Sequence, residues 1–244
     1  MAIQAVSGER TRKRGMRRKN HPWLRRAFRL VLAIAAAILL SIIAFRFINP
    51  PITPVMAMEK LRGHTLRHQW LPLTDMSPQL SLAAIASEDG RFCAHWGVDW
   101  SAVNEAIKEG GGFGAFRGAS TIPMQTAKNI YLWSGRSYVR KTIEVPLAYV
   151  MSVLWPKARM MEVYLNVAQF GPGIFGVEAA SRYYFHKSAA ELTRHEAVLL
   201  VAALPNPRFR NPARPSRRML LVTRAVERRL PIMVARTGCL QPRP

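Results

Sequence analysis

A continuous apolar run near the start of the chain constrains its architecture more than any other feature. Residues Leu30 to Phe45 carry no charge, and Arg29 and Arg46 flank them. Because terminal arginines can extend towards lipid headgroups, the apolar stretch reaches about 20 residues, which is the length an α-helix needs to cross a bilayer. We therefore predict a transmembrane helix at residues 30–48.

Two other interpretations of this run are weaker. A helix of a soluble core would not be apolar on every face directly after a strongly basic segment. A cleaved signal peptide would be followed by a small-residue cleavage site, whereas Asn49, Pro50 and Pro51 follow here. The sequence therefore favours a retained anchor.

The net charge of +22 is concentrated at the two ends of the chain. Residues 1–29 hold ten Lys and Arg against one acidic residue, and residues 206–244 hold the same numbers, whereas residues 30–205 are nearly balanced. Because positive residues beside a span stay on the cytoplasmic side, the N-terminus is expected in the cytoplasm and residues 50–244 outside it. This topology disfavours nucleic acid as a partner, so the basic ends indicate anionic lipid headgroups or a solvated face.

The cysteines and the short motifs exclude several classes of site. Two cysteines make neither a disulfide framework nor a four-thiolate zinc site. An oxidising compartment would allow Cys93 and Cys239 to pair, but we predict a lone buried cysteine beside Phe92. No glycine-rich nucleotide-binding loop is present.

Helix-start signals follow one another along the outer part of the chain, which predicts a mainly α fold. Strand-like alternation is almost absent. We expect a basic cytoplasmic tail at 1–29, a stalk at 49–77, one folded domain at 78–212 and a basic C-terminal helix or tail at 213–244. Predicted helix starts are Ser77-Pro78, Asp99, Ser120 or Thr121, and Ser137 (with a kink or stop near Pro146), with further helices at 157–165, 174–185 and 194–204 and capping boxes at Ser188 and Thr193.

Four polar clusters interrupt this helical pattern, and each is ambiguous alone. Glu88 and Asp89 end an apolar helix shortly before His95, which suits general acid–base chemistry, although acids at helix ends are usually solvated. Small residues from Gly118 lead into a helix start, a place where anions bind. Gln125 and Lys128 then share one face of that helix.

The remaining two clusters also permit a structural interpretation. Arg140, Lys141 and Glu144 are either an ordinary surface ion-pair group or a carboxylate held among cations beside a phosphate. In the stretch from Lys157 to Asn166, the apolar members Met161, Tyr164 and Leu165 are typical of helix packing.

In order and spacing, these clusters resemble the motifs of glycosyltransferase family 51, the lysozyme-like peptidoglycan glycosyltransferases that polymerise lipid II. The resemblance covers residues 79 to about 212, and the single anchor without a transpeptidase domain is similar to monofunctional members. One departure is Met124-Gln125, where the family usually has two glutamines, so any role for Gln125 is expected to be non-essential. The five matching stretches are Glu88 to Gly97, Gly118 to Asn129, Arg140 to Glu144, Lys157 to Asn166, and Ala202 to Pro207.

The resemblance implies a lysozyme-like helical domain after one transmembrane helix and a role for each site residue. Glu88 would be the catalytic base, and Glu144 would orient the cations or ligate a divalent ion. Asp89 and His95 would position the Glu88 loop, with His95 equally interpretable as a structural histidine. The residues implied to bind substrate or its pyrophosphate are Arg117, Ser120, Thr121, Gln125, Lys128, Asn129, Arg140 and Lys141.

The implied reaction transfers a lipid-pyrophosphate-linked glycan onto lipid II with inversion. No cofactor is obligatory in this interpretation, and a divalent cation (Mg or Mn) at the pyrophosphate stays open. Expected partners are lipid II, the nascent glycan strand, membrane lipids and other cell-wall synthesis or division proteins, with no nucleic acid. The expected location is a bacterial inner membrane, single-pass, with a periplasmic catalytic domain. The apolar residues that flank the second cluster favour a lobe near the acyl chains over plain core packing; they are Phe113, Phe116, Ile130, Tyr131, Leu132 and Trp133.

The alternative function is a membrane-anchored, lysozyme-like muramidase, which would hydrolyse the bond that a glycosyltransferase makes. The cationic second and third clusters disfavour it, because hydrolysis of an uncharged glycan involves no pyrophosphate. The second alternative is a membrane-anchored scaffold or a nucleic-acid-binding protein, and only the net charge suggests it.

Overall fold

The computed structural model describes residues 22–108, 120–135 and 137–241. The described residues fall into two compact units, one that ends at Ser41 and one that begins at Ile42. The mainly α prediction is confirmed. The helices are α1 (Pro22–Phe45), α2 (Pro54–Leu61), α3 (Pro78–Glu88), α4 (Trp100–Ala106), α5 (Ile122–Tyr131), α6 (Tyr138–Leu154), α7 (Lys157–Val167), α8 (Val177–Phe185), α9 (Arg194–Ala203) and α10 (Arg217–Val234).

Three very short strands form a small sheet in the order β1-β3-β2. They are β1 (Arg67–His68), β2 (Gln169–Gly171) and β3 (Ile174–Phe175). Strand β1 runs parallel to β3, and β2 runs antiparallel to it. The sheet therefore ties the segment before α3 to the segment after α7.

Within the part of the chain that the structure describes, α1 is the one helix long and apolar enough to cross a membrane. In the described residues it extends from Pro22 to Phe45, so it includes the greater part of the span predicted at 30–48 together with residues before it. It ends at Phe45, shortly before the Pro50-Pro51 pair. The helix fits a single-pass anchor.

Most predicted helix starts coincide with local side-chain caps. Asp99 accepts hydrogen bonds from the amides of Ser101 and Ala102, and Thr121 caps α5. Both predicted capping boxes are formed. Ser77 precedes α3 as predicted but does not cap it, because its hydroxyl donates to the carbonyl of Leu192 at 2.9 Å.

The predicted stop near Pro146 is not observed. Helix α6 begins after its cap Ser137 and continues through Pro146 to Leu154. Tertiary packing explains the continuity, since Ala148 and Met151 lie buried beyond the proline.

The segment expected to be a stalk takes part in the folded unit. Thr53 caps α2 at the amide of Met56, with Pro54 in the first turn. Val55 and Met56 are buried against Phe175 of β3. Residues 49–77 thus contain structured elements, because apolar side chains among the prolines find partners far along the chain.

The C-terminal region also packs on the fold. Helix α10 lies against α3 and α9, and its Met219, Val226 and Leu230 are buried. The predicted lone cysteine is wrong: Cys93 and Cys239 form a disulfide with Cα atoms 5.6 Å apart. The packing of α10 returns the end of the chain to the loop after α3, a juxtaposition that the sequence pattern does not reveal.

Candidate active site

Glu88 is the last residue of α3, and its half-buried carboxylate is held from two sides. The side-chain amide of Gln125 on α5 donates to Glu88 Oε2 at 3.0 Å. The hydroxyl of Ser87 donates to Oε1 at 2.9 Å. The Tyr164 hydroxyl on α7 is 3.4 Å from Gln125 Oε1 and donates to it. The carboxylate is therefore oriented by a chain of polar groups from two neighbouring helices.

Asp89 is 6% exposed and turns away from Glu88 into the protein. Its Oδ2 accepts from the Ile122 amide in the first turn of α5 at 2.9 Å, and its Oδ1 lies 2.8 Å from His95 Nε2. A carboxylate at a helix N-terminus is stabilised by the helix dipole and by unpaired amides. The structure thus brings Asp89 and His95 together as supports of the loop after Glu88.

Lys157 holds the same loop from α7. Its ammonium donates to the carbonyls of Phe92 and His95, each at 2.6 Å, and lies 4.5 Å from the centre of the Phe92 ring. Burial lowers the pKa of Lys157 to about 8, an effect that the charge of Asp89 opposes. The sequence indicates Lys157 only as a member of the fourth cluster, and its contact with the Glu88 loop emerges from the tertiary structure.

Gly97 allows the end of this loop to approach α6. Its φ of +96° favours glycine, and a Cβ there would lie 2.9 Å from the backbone carbon and oxygen of Ala148. The Thr121 hydroxyl donates to the Gly97 carbonyl while the same residue caps α5. Three elements thus meet at one glycine beside the site.

A cationic cluster lies at the first two turns of α6. Glu144 is only 2% exposed, which rules out the surface ion-pair interpretation. Arg140 donates to Glu144 Oε1, and the Lys141 ammonium lies 3.7 Å from Oε2 and donates to the Ser120 hydroxyl. Glu144 therefore orients two cations and connects them to the start of α5.

Lys128 on α5 links the two groups of residues electrostatically. Burial lowers the pKa of Lys128, and the carboxylates of Glu144 and Glu88 oppose the shift. Burial also lowers the pKa of Lys141. Partly desolvated cations attract an anion more strongly than cations in bulk water do. The arrangement offers a carboxylate on one side and an anion-binding group on the other.

Comparison with known proteins shows the family to which the chain with this site belongs. The family profile described as Transglycosylase matches residues 55–231. The chain belongs to the transglycosylase family. The predicted enzyme class is thereby confirmed, because the chain is a glycosyltransferase of that family.

Several relatives share this assignment over most of their length. The biosynthetic peptidoglycan transglycosylase of Brucella suis is 44% identical over 197 residues, which cover 81% of this chain and 88% of the relative. That of Mannheimia succiniciproducens is 50% identical over 179 residues, or 70% and 73% of the two chains. That of Rhodospirillum centenum is 44% identical over 214 residues, or 87% and 93%.

Most site residues that the sequence predicts for this transglycosylase lie close to Glu88 or to the cationic cluster. Gln125 contacts Glu88 directly. That Gln125 is not essential for activity stays a prediction. Asn129 is buried on α5. Arg117 lies outside the described residues.

Sequence reasoning underestimated Tyr164, which it interpreted as helix packing in this transglycosylase. The side chain is 1% exposed, yet its hydroxyl reaches Gln125. Burial raises the pKa of Tyr164 well above its ordinary value, and the charges of Glu88 and Asp89 add to the rise. Its place in the fourth cluster was the signal that could have found it.

A divalent cation at the pyrophosphate with Glu144 as a ligand stays a prediction. No group of three or more His, Cys, Asp and Glu side chains gathers in residues 22–108, 120–135 and 137–241. Both oxygens of Glu144 already face cations. We therefore derive no step through a metal, and Glu144 serves here as a partner of Arg140 and Lys141.

The residues of the predicted apolar lobe differ in exposure, and its contact with the acyl chains stays a prediction. Ile130 and Leu132 are buried in the fold, whereas Trp133 is 40% exposed. The Tyr131 ring lies 6.4 Å from the ring of Phe45, the last residue of α1. Phe113 and Phe116 lie outside the described residues. Among the described residues of the predicted lobe, Tyr131 is thus the one with a ring contact to Phe45.

Proposed function

We propose that this transglycosylase polymerises peptidoglycan glycan strands. The growing strand, linked to undecaprenyl through a pyrophosphate, is the donor, and the 4-hydroxyl of the N-acetylglucosamine of lipid II is the acceptor. The oxygen attacks the anomeric carbon from the opposite face, so a β-1,4 bond forms as the bond to pyrophosphate breaks. Undecaprenyl diphosphate leaves. The observation that carries the proposal is Glu88 held by Gln125 beside a buried group of cations.

Glu88 acts as the general base in this proposal. Its oxygens are oriented by Gln125 and Ser87, and neither contact is an ion pair. The carboxylate can therefore accept the acceptor's proton as the new bond forms. Inversion in one displacement requires no covalent enzyme intermediate.

The cations receive the leaving pyrophosphate. Glu144 fixes Arg140 and Lys141, and the charges of these three residues act on Lys128. Negative charge on pyrophosphate grows as the glycosidic bond breaks, so preorganised cations lower the barrier more than they tighten substrate binding. Arg117 stays a proposed member of this group.

The membrane orientation follows from the charge bias and gains support from the disulfide. Disulfides persist in oxidising compartments and are rare in the cytosol. The Cys93–Cys239 bond is therefore consistent with residues 50–244 outside the cytoplasm, where lipid II presents its sugars. Residues 45–48 are fastened to the domain by Arg159, which donates to the carbonyls of Phe45 and Ile48. The residues at the beginning of this unit are thus held by direct hydrogen bonds within it.

Incubation of the purified full chain with labelled lipid II tests the function. The proposal predicts that long glycan strands and free undecaprenyl diphosphate appear together, and that the strands are cut by lysozyme into disaccharides. Release of short products from a supplied glycan, without polymer from lipid II, would support the muramidase alternative instead.

A further inference from the structure

The C-terminal segment reaches the loop that follows Glu88 through two contacts. Cys239 is bonded to Cys93, five residues after Glu88, and Arg236 donates to the carbonyl of Gly90 at 3.3 Å. Both partners on the C-terminal side lie beyond residue 231, where the family match ends. Neither contact is used by the mechanism described above.

We propose that residues 235–241 position the loop at 89–97, with the Cys93–Cys239 disulfide as the positioning bond. Turnover then depends on the oxidised state of a bond outside the substrate contacts. The expected effect on kcat rests on the proposed role of Glu88. The expected effect on the position of the loop rests on the structure alone.

The loop needs fixing because little regular structure holds it. Apart from the short 3-10 turn at Phe92–Ala94, residues 89–97 form no helix or strand. Its anchors to α5 and α7 are three: Asp89 accepts from the Ile122 amide, the Gly97 carbonyl accepts from the Thr121 hydroxyl, and Lys157 holds two carbonyls. The disulfide adds an anchor from the C-terminal segment, so the loop is held between two sides of the molecule.

The segment that carries Cys239 is itself fixed. Helix α10 packs against α3 and α9, and Leu230 and Met233 near its end are buried. The 3-10 turn at Gly238–Leu240 packs against α7, the helix that also carries Lys157. A bond to a fixed segment holds the loop in one position, whereas a bond to a loose tail would only limit how far the loop can move.

A positioning bond and a merely stabilising bond have different consequences. A stabilising disulfide changes the temperature of unfolding and leaves the turnover of folded molecules unchanged. A positioning disulfide also changes kcat, because Asp89 and Glu88 are consecutive and the loop sets where the α3 end points. KM for lipid II should change little, since the cationic cluster on α6 does not contact the bond.

Reduction of the folded full-length protein in detergent gives the test. A phosphine reductant takes up oxygen from water and becomes its oxide, while the disulfide gains two electrons and two protons and becomes two thiols. Both cysteines are half-buried, so reagent can reach them. We expect kcat to fall about 10- to 100-fold with KM within about twofold, as for a misplaced catalytic group. Reoxidation with glutathione disulfide should restore kcat.

Two variants sharpen the result. Cys239→Ala should show the same loss of kcat and no further response to reductant. Met219→Ala removes a buried side chain from the start of α10, where it packs on Leu199 and Ala202. This control should lower the unfolding temperature while kcat stays near the wild-type value. If Cys239→Ala fails to fold, reduction of folded wild-type protein supplies the comparison.

Hydrogen exchange of the loop gives a measurement that is independent of activity. Reduction should accelerate amide exchange at residues 89–97 and leave α7 unchanged. Unchanged kcat, or unchanged exchange in this loop, after complete reduction would overturn the inference. If the oxidised wild-type protein makes no polymer from lipid II, the proposed function fails instead, and loop exchange alone then decides the mechanical claim.

Discussion

At the scale of single residues, side chains of the same type have different contacts and therefore different roles. Lys157, Lys128 and Lys141 all have pKa values lowered by burial, yet Lys157 holds two backbone carbonyls, whereas Lys141 lies 3.7 Å from Glu144 Oε2. Asp89 and Glu88 are adjacent, but one is locked into α5 and the other is half-exposed. Local contacts, rather than residue type, separate supporting groups from reacting groups.

Substitution of Lys128 or Lys141 by alanine should reduce use of the donor more than use of the acceptor. In the proposed reaction each lysine contributes a full charge near the leaving pyrophosphate, so turnover should fall about 10²-fold or more when the donor limits the rate. Initial rates with a pre-formed lipid-linked donor limiting, and then with lipid II limiting, make the comparison. The exposed Lys60→Ala on α2 is the matched control and should behave as the wild type. Equal small effects in both regimes would remove these lysines from the site.

Lys157→Met should change how stability depends on pH. In the folded state the pKa of Lys157 is about 8 against an ordinary 10.5, so the unfolded chain binds more protons between these values. The contribution of this group to the free energy of unfolding therefore rises with pH through that window, and its cost is fully present below about pH 8. Unfolding of wild type and variant at pH 7, 8, 9 and 10 should show the wild type gaining relative to the variant. Parallel curves would contradict the assignment.

At the scale of elements, Gly97 joins the loop after Glu88 to α6. Gly97→Ala should cost about 1–3 kcal/mol in backbone strain, and about 1–3 kcal/mol more because its Cβ would lie 2.9 Å from the Ala148 backbone. Gly63→Ala provides a control with φ +85° and no atom within 4 Å of the added Cβ, so it should show the strain alone. Thermal unfolding compares them, and equal losses would mean that the close approach to α6 is unimportant.

Helix starts could be predicted from the sequence because their causes are local. Thr121, Ser137 and Thr193 each cap a helix within three residues of themselves. The elements in the expected stalk could not be predicted, since α2 is buried against Phe175, more than a hundred residues away. Pairing of Cys93 with Cys239 spans 146 residues and depends on how α10 packs.

The sequence could predict which residues form the candidate site, but not which of their side chains contact one another. Motif spacing indicated Glu88, Gln125 and Glu144, whereas the hydrogen bond between Gln125 and Glu88 joins residues 37 positions apart. The burial of Glu144, which decides between a surface pair and an organised cluster, is likewise a tertiary property.

At the scale of the whole molecule, one apolar helix precedes a domain that carries a disulfide. The charge bias predicts a cytoplasmic N-terminus, so a reporter that works only outside the cytoplasm should be active when it is fused to the C-terminus. A reporter that works only inside the cytoplasm should be silent when it is fused at the same place. Activity of the cytoplasmic reporter would overturn the topology and the side on which substrate is met.

The general-base role of Glu88 is the central claim, and the Glu88→Gln variant tests it most directly. The amide keeps the size of the side chain and cannot accept the proton, so lipid II binding and the unfolding temperature should stay near wild type. The rate of polymerisation should fall by about 10²–10⁴-fold. Glu105→Gln on α4, an exposed site, is the control and should polymerise normally. If Glu88→Gln keeps more than about a tenth of the wild-type rate, which is well above that range, Glu88 is not the base.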